Sequence, residues 1–276
     1  YTGKCGHAMD CTKFETECHR CPQLREYPKS LVFDFTRTMF KQKKRWFEGF
    51  ERLTIVTPSA WLSERVGRSF LKDKPLRIIH NGINIDTLFY PRDTHALKQK
   101  HQLTDQKVVL AVAPDLMSPL KGGRHVVKVA RRLRDQNIQF ILIGVEDLER
   151  DYGANVLALG RTKNQEELAE YYSLADLFVI CSEKENFPTT AIEAISCGTP
   201  VVGFDAGGTK ETAPGPYGAF VPHGDLDALA KLIQTELFEA PSLASKESCR
   251  QYGETHYSKR TMGEHYLTLY QAEETQ

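Results

Sequence analysis

Among the 276 residues there is no excess of either charge sign. Lys and Arg total 36 and Asp and Glu total 36, a formal net charge of zero with His neutral. A protein whose main partner is a polyanion carries a basic surplus, so nucleic acid is not an expected partner. Also missing are an apolar run near the ~18 residues that cross a bilayer and a charged-then-apolar leader, which leaves membrane-spanning and secreted readings weak. Neither G-x-G-x-x-G nor G-x-x-x-x-G-K-[ST] occurs, which disfavours a nicotinamide dinucleotide site and a P-loop. What remains is 41% hydrophobic and 26% charged, the proportions of an ordinary globular chain. Its length suits about two domains of ~150 residues. The chain opens on Tyr1 in a loop-like stretch, as expected for a processed chain or a piece of a longer protein.

The seven cysteines are unevenly spread. Cys5, Cys11, Cys18 and Cys21 crowd together, while Cys181, Cys197 and Cys249 are scattered. The odd total and the isolated later cysteines point to a reducing compartment. There, the C-x5-C-x6-C-x2-C spacing suits a structural zinc, with Cys18-His19-Arg20-Cys21 as the short chelating step and His7 or His19 as substitute ligands. Four free or oxidised cysteines in a small loop are the alternative. Cys181 and Cys197 read as small buried hydrophobes.

Residues 22–52 space Phe33, Phe35, Phe40, Trp46, Phe47 and Phe50 loosely at helical intervals around Lys41, Lys43, Lys44 and Arg45. A membrane-surface helix has this pattern, and so does a helix that packs its aromatics and solvates its lysines. Residues 53–57 read as a strand ended by Pro58, and Ser59 as the cap of the next helix. A short strand, 75–79, runs into the turn His80-Asn81-Gly82, and a domain boundary is expected near residue 75.

Beyond it, strands and helices alternate. Strands are expected at 107–113, 138–143, 156–159, 177–180 and 200–204, and helices at 123–136, 166–173, 189–196 and 226–237. Near-continuous apolar strands between amphipathic helices imply a parallel sheet covered on both faces, a doubly wound α/β domain. Ligands of such domains sit at the carboxyl ends of the strands, at a topological switch point. Three strand-following loops stand out: 113–123 with Lys121-Gly122-Gly123, 182–190 with Glu183, Glu185 and Asn186, and 205–211 with Gly207-Gly208. Lys121 at a glycine-flanked helix start would place an ammonium beside free backbone N–H groups, an arrangement that suits a phosphate. With a helix starting near Pro188, Glu193 lies about 6 Å along it at 1.5 Å per residue, and Glu185 stays in the loop. Two carboxylates at different depths of one cleft can each accept from both hydroxyls of a vicinal diol. The flanks of Glu193 are apolar, and a buried carboxylate needs a partner.

Glu185-Asn186-Phe187-Pro188-Thr189-Thr190-Ala191-Ile192-Glu193-Ala194, followed by Cys197-Gly198-Thr199-Pro200-Val201-Val202, resembles the Glu-x7-Glu signature of family 4 retaining glycosyltransferases. The segments Thr57-Pro58-Ser59-Ala60-Trp61-Leu62, Ile79-His80-Asn81-Gly82-Ile83, Lys121-Gly122, Leu159-Gly160-Arg161 and Gly207-Gly208-Thr209 support the resemblance, which covers nearly the whole chain. The cysteine cluster with Pro22-Gln23-Leu24 is similar to a subgroup of bacterial members that assemble exopolysaccharide or lipopolysaccharide.

The resemblance implies the GT-B fold, with one complete Rossmann-like, doubly wound donor domain and the tail of a second such domain. Residues 1–75 would be the remnant of the acceptor-binding domain, carrying the four-Cys knuckle at 5–21. Residues 76–260 would bind the nucleotide sugar, and 261–276 would form the C-terminal crossover helix. About a hundred residues or more would precede Tyr1, judged from typical domain size, and would carry a catalytic histidine.

The implied activity is hexosyl transfer from a UDP- or GDP-sugar to a saccharide or lipid-linked acceptor. It would proceed with retention, without an obligatory catalytic metal, in cell-surface polysaccharide synthesis. The expected place is the cytoplasm, with peripheral contact at the inner face of the plasma membrane as an option. Carried over by motif, Lys121 would hold the donor diphosphate and Glu185 would contact the transferred sugar. Glu193 would hold the ribose hydroxyls, the backbone of Phe187, Thr189 and Thr190 would approach the phosphates or sugar, and Gly160 with Arg161 would lie beside the base. The chain departs from the family where Ala113-Pro114-Asp115 replaces a Gly-Arg and Leu120 precedes Lys121. One diphosphate cation is thereby unaccounted for, with Arg124 and Arg161 as substitutes. The rival readings are a zinc-knuckle nucleic-acid-binding module and another GT-B enzyme, an epimerase or a phosphorylase.

Overall fold

The computed structural model describes residues 11–25, 30 and 32–274. The chain divides into two compact units, 1–79 and 80–276.

In the first unit, helix α1 (Thr36–Glu48) begins where the Asp34 carboxylate accepts from the Thr36 amide and hydroxyl. These bonds, the hydroxyl's first, hold the Asp34 carboxyl below its ordinary pKa. Strand β1 (Ile55–Thr57) leads into helix α2 (Ala60–Gly67), whose N-cap Ser59 accepts from the Leu62 amide at 3.1 Å as its sequence position predicts. Strand β2 (Leu76–Ile78) pairs in parallel with β1 and therefore stays with this unit. Among the aromatics of the 22–52 stretch, Phe40 is buried and Phe47 packs beside Leu62 and Val66, while Phe33, Phe35, Trp46 and Phe50 are exposed.

The second unit is a six-stranded parallel sheet of β3 (Lys107–Val112), β4 (Ile138–Ile143), β5 (Val156–Leu159), β6 (Leu177–Ile180), β7 (Val201–Asp205) and β8 (Gly218–Pro222), in the order β5-β4-β3-β6-β7-β8. The chain starts in the middle at β3, winds out to β5, returns to lay β6 on the other side of β3, and winds out to β8. The reversal between β3 and β6 is the switch point of a doubly wound sheet.

Alternation along the strands sorts the helices. Val108 and Leu110 face a core shared with α3 (His95–Lys100), α5 (Gln165–Leu174), α6 (Thr189–Ser196) and α8 (Lys246–His256). Val109 and Ala111 face α4 (Gly123–Arg132) and α7 (Leu226–Gln234). A final helix, α9 (Lys259–Glu274), follows Tyr257. Cys181 and Cys197 sit in these cores as expected, and burial pushes the Cys197 thiol up to about 12.

Some boundaries differ from the sequence expectation. Helix α4 stops at Arg132 rather than running to residue 136, because the polar stretch after Leu133 offers no further apolar face. Helix α7 passes after Gln234 into a π-turn (Thr235–Glu239), whose Glu239 carboxylate accepts from Lys231, Gln234 and Thr235.

Two glycines let the carboxyl ends of the strands crowd together. Gly122 (φ +72°) caps α4, and a Cβ there would lie 1.9 Å from the Cys181 carbonyl oxygen. Gly144 (φ +90°) follows β4, and its Cβ would meet the Ala113 carbonyl oxygen at 1.7 Å. Both conflicts are with backbone, which cannot step aside like a side-chain tip. Gly122→Ala is expected to cost about 2–3 kcal/mol, from positive-φ strain plus the clash. A thermal melt that matches wild type would show that the β3–α4 loop can relax away from β6.

Candidate functional site

The loops after β3 and β6 meet at the switch point over a cleft of about 700 Å³. Lys121, at the end of the first loop, donates from Nζ to Glu185 Oε1 at 2.7 Å, with the two side chains 36% and 16% exposed. The Glu185 backbone is fixed in turn: its carbonyl accepts from the Gly208 amide at 2.9 Å.

Glu193 sits one turn into α6 and reaches the same cleft. The partner that its apolar flanks demand is Tyr172 of α5, whose hydroxyl donates to Oε2 at 2.9 Å. Burial lifts the Glu193 carboxyl to about 7, against the lowering effect of that hydrogen bond. It holds the Tyr172 phenol neutral as well, burial first and the neighbouring carboxylate second.

Lys121, Glu185, Glu193, Thr189, Thr190 and Arg161 all line this one cleft. Thr189 and Thr190 open α6, where backbone N–H groups have no acceptor inside the helix. Two sequence-expected residues do not line it. Phe187 is buried, stacked on His80 with ring centroids 4.8 Å apart and edge-on to Tyr257. Gly160 lies at the end of β5, and its carbonyl accepts from the Gly144 amide at 3.2 Å. The expectation of free amides beside Lys121 needs correction: Gly122 and Gly123 donate to Ser118 and Leu116, because the loop closes on itself before α4 starts.

Cys5 lies outside the described residues. Cys11, Cys18 and Cys21 are partly exposed, and no group of three or more His, Cys, Asp or Glu that could hold a metal occurs among the described residues. The described part of the 5–21 knuckle thus gives the zinc reading no support.

A cluster that the sequence did not single out joins the two loops from behind their tips. The Glu183 amide donates to the Leu120 carbonyl at 2.9 Å, and its carboxylate lies 3.7 Å from His125 Nε2 and 3.5 Å from His223 Nε2. Burial keeps the His125 imidazole below its ordinary pKa, opposed by Glu183. Its three members come from α4 and from the ends of β6 and β8, so no local spacing announces it. Tyr172 was missed for the same reason.

The family described as Glycosyl transferases group 1 matches residues 93–256, which include every cleft residue named above. The chain belongs to this group 1 glycosyl transferase family. A putative colanic acid biosynthesis glycosyl transferase, WcaC of Escherichia coli (strain K12), is 24% identical over 272 residues, 98% of this chain and 65% of that protein. An N-acetyl-alpha-D-glucosaminyl L-malate synthase of Bacillus anthracis is 24% identical over 199 residues, 68% of this chain and 49% of its own length. This group 1 chain thus spans about two thirds or less of these relatives.

Among solved structures, sucrose-phosphate synthase (tll1590) from Thermosynechococcus elongatus aligns with a TM-score of 0.69 at 26% identity, covering 88% of this chain and 65% of that one. Anabaena Alr3699/HepE in complex with UDP aligns with a TM-score of 0.70 at 20% identity, covering 85% and 68%. These neighbours are GT-B glycosyltransferases, which gives the group 1 chain its fold class. Among the described residues, no helix is long and apolar enough to cross a membrane.

Proposed function

We propose that this chain carries the nucleotide-sugar half of a retaining glycosyltransferase that builds cell-surface polysaccharide. The observation that carries the reading is the switch-point cleft, where one ammonium and two carboxylates from three elements converge. In this reading Lys121 takes the diphosphate and offsets the charge that builds on it as the sugar leaves, an electrostatic role. Glu193 accepts from the ribose hydroxyls, and Glu185 contacts the transferred sugar. The first turn of α6, through the backbone of Thr189 and Thr190, approaches the phosphates, and the backbone at Gly160, after β5, lies beside the base.

Residues 80–260 are assigned to the donor side, residues 1–79 to the end of an acceptor-binding domain, the expected boundary near 75 shifting because β2 pairs with β1, and residues 261–276 to the C-terminal crossover helix. The UDP held by the Anabaena protein and the polysaccharide role in the name of the Escherichia coli relative support a nucleotide donor and a saccharide or lipid-linked acceptor. A cytoplasmic place fits a nucleotide-sugar donor, and the exposed Phe33, Phe35, Trp46 and Phe50 beside Lys41 to Arg45 supply a surface for peripheral membrane contact.

Calorimetric titration with UDP, GDP and ADP tests the donor assignment. Binding of one of the three, weakened by Glu193→Ala, is the expected result. A folded chain that binds none of them sinks it.

A further inference from the structure

The charges that line the cleft cancel. Lys121 and Arg161 supply two cations, Glu185 and Glu193 supply two carboxylates, and the other lining residues are neutral. The Lys121 ammonium is moreover already engaged with Glu185 at 2.7 Å. A diphosphate carries at least two negative charges, so a cleft that takes one needs a cation whose charge is not already paired with a carboxylate of the cleft.

Arg161 answers that description. Its Nε donates to the Pro114 carbonyl at 3.3 Å, and its terminal nitrogens have no partner among the described residues. A guanidinium fixed at Nε and open at both terminal nitrogens presents a planar fork that matches phosphate oxygens bidentately.

The strand ends explain how a residue after β5 reaches this position. Gly144, with no side chain between the Ala113 carbonyl and its own backbone, draws the exits of β3 and β4 together. Its amide donates to the Leu159 and Gly160 carbonyls, which fastens the exit of β5 to the same place. Arg161 thereby spans β4 and docks on Pro114, in the loop that ends at Lys121. The two cations of the cleft are tied to one loop, although they arise from strands on either side of β4.

We infer that the Arg161 side chain binds the diphosphate of the donor, as the second cation beside Lys121, and does not serve the base. This deepens, and rests on, the donor reading given above. The test is calorimetry on wild type, Arg161→Ala and Arg161→Lys. The probes are inorganic pyrophosphate, the nucleosides uridine, guanosine and adenosine, and their 5′-diphosphates.

Arg161→Ala is expected to weaken pyrophosphate and the accepted nucleoside diphosphate by about 10- to 100-fold, the value of a charge-assisted hydrogen bond, and to leave the nucleoside within about twofold. Arg161→Lys is expected to recover part of the loss, since it keeps the charge without the fork. Equal losses for nucleoside and diphosphate would overturn the inference in favour of a base contact. An unchanged diphosphate affinity would overturn it too, as would a wild type that binds neither pyrophosphate nor any nucleotide. Pyrophosphate binding that depends on Arg161, without selection of any nucleotide, would instead uphold Arg161 and sink the nucleotide reading. Arg161 is exposed, so its replacement leaves the core untouched.

Discussion

Glu193→Gln is expected to make the folded chain more stable above neutral pH while it loses its hold on a nucleotide. The carboxyl ionises at about 7 in the fold against an ordinary 4.5, because burial costs more than the Tyr172 hydroxyl returns. A raised carboxyl pKa means that the fold binds this proton more tightly than the unfolded chain does. Stability therefore falls as pH rises from about 4.5 to about 7, and the full penalty remains above that. Removing the charge relieves about 1–2 kcal/mol at pH 8, after discounting for water in the open cleft, and nothing near pH 4. Thermal melts of both proteins across that range read the difference directly, and a gain independent of pH would show that the carboxylate is not the cause. A neutral amide is also a poorer acceptor for two ribose hydroxyls, so nucleotide affinity should drop by about tenfold or more. Stability gained and binding lost at one residue is the mark of a group held in place for function.

The second large effect concerns the Lys121–Glu185 pair. At 2.7 Å, the carboxylate pairs the positive charge that a diphosphate would claim. Lys121→Met should weaken a nucleoside diphosphate by about 100-fold, because Glu185 then faces the phosphates without its ammonium partner and Arg161 alone opposes two carboxylates. Glu185→Gln should act in the opposite direction and tighten the same ligand by about three- to tenfold, because Lys121 no longer has to exchange partners. For a nucleotide sugar the gain should shrink, since Glu185 is the group expected to meet the sugar once Lys121 releases it. Titration of both variants with a nucleoside diphosphate and its sugar conjugate separates these effects. Weaker diphosphate binding by Glu185→Gln would mean that the pair is needed intact and that its exchange is not part of binding.

The interior of the second unit was legible from residue patterns. Strands β4, β5 and β6 and helix α6 begin and end where the apolar runs do, because a parallel strand buried on both faces must be apolar throughout. Strand β8 was not anticipated: it lies at the sheet edge, is only partly buried, starts at Gly218 and ends at Pro222. Helices α3 and α8 were missed because each buries only one residue or two, Leu97 in one and Cys249 with Gly253 in the other, too few to draw an apolar stripe.

At the site, the Glu185–Glu193 spacing and Lys121 could be picked out because each falls in one segment. Their partners could not. Tyr172 is 21 residues from Glu193, and Arg161 finds Pro114 at a separation of 47. Only the winding order of the strands makes such pairs neighbours.

That winding order also bears on how the chain reaches its native state. Lys121 and Glu185 are 64 residues apart, on loops that follow the two central strands β3 and β6. Between them in sequence lie β4, β5, β6 and two helices, so the chain winds out to the edge strand β5 and returns to β3 before the two loops can meet. Contacts of such long separation close late, since the loop entropy is lost before they form. The cleft is therefore among the last features of the second unit to assemble, and an anion that needs both loops would report on the completed topology rather than on collapse.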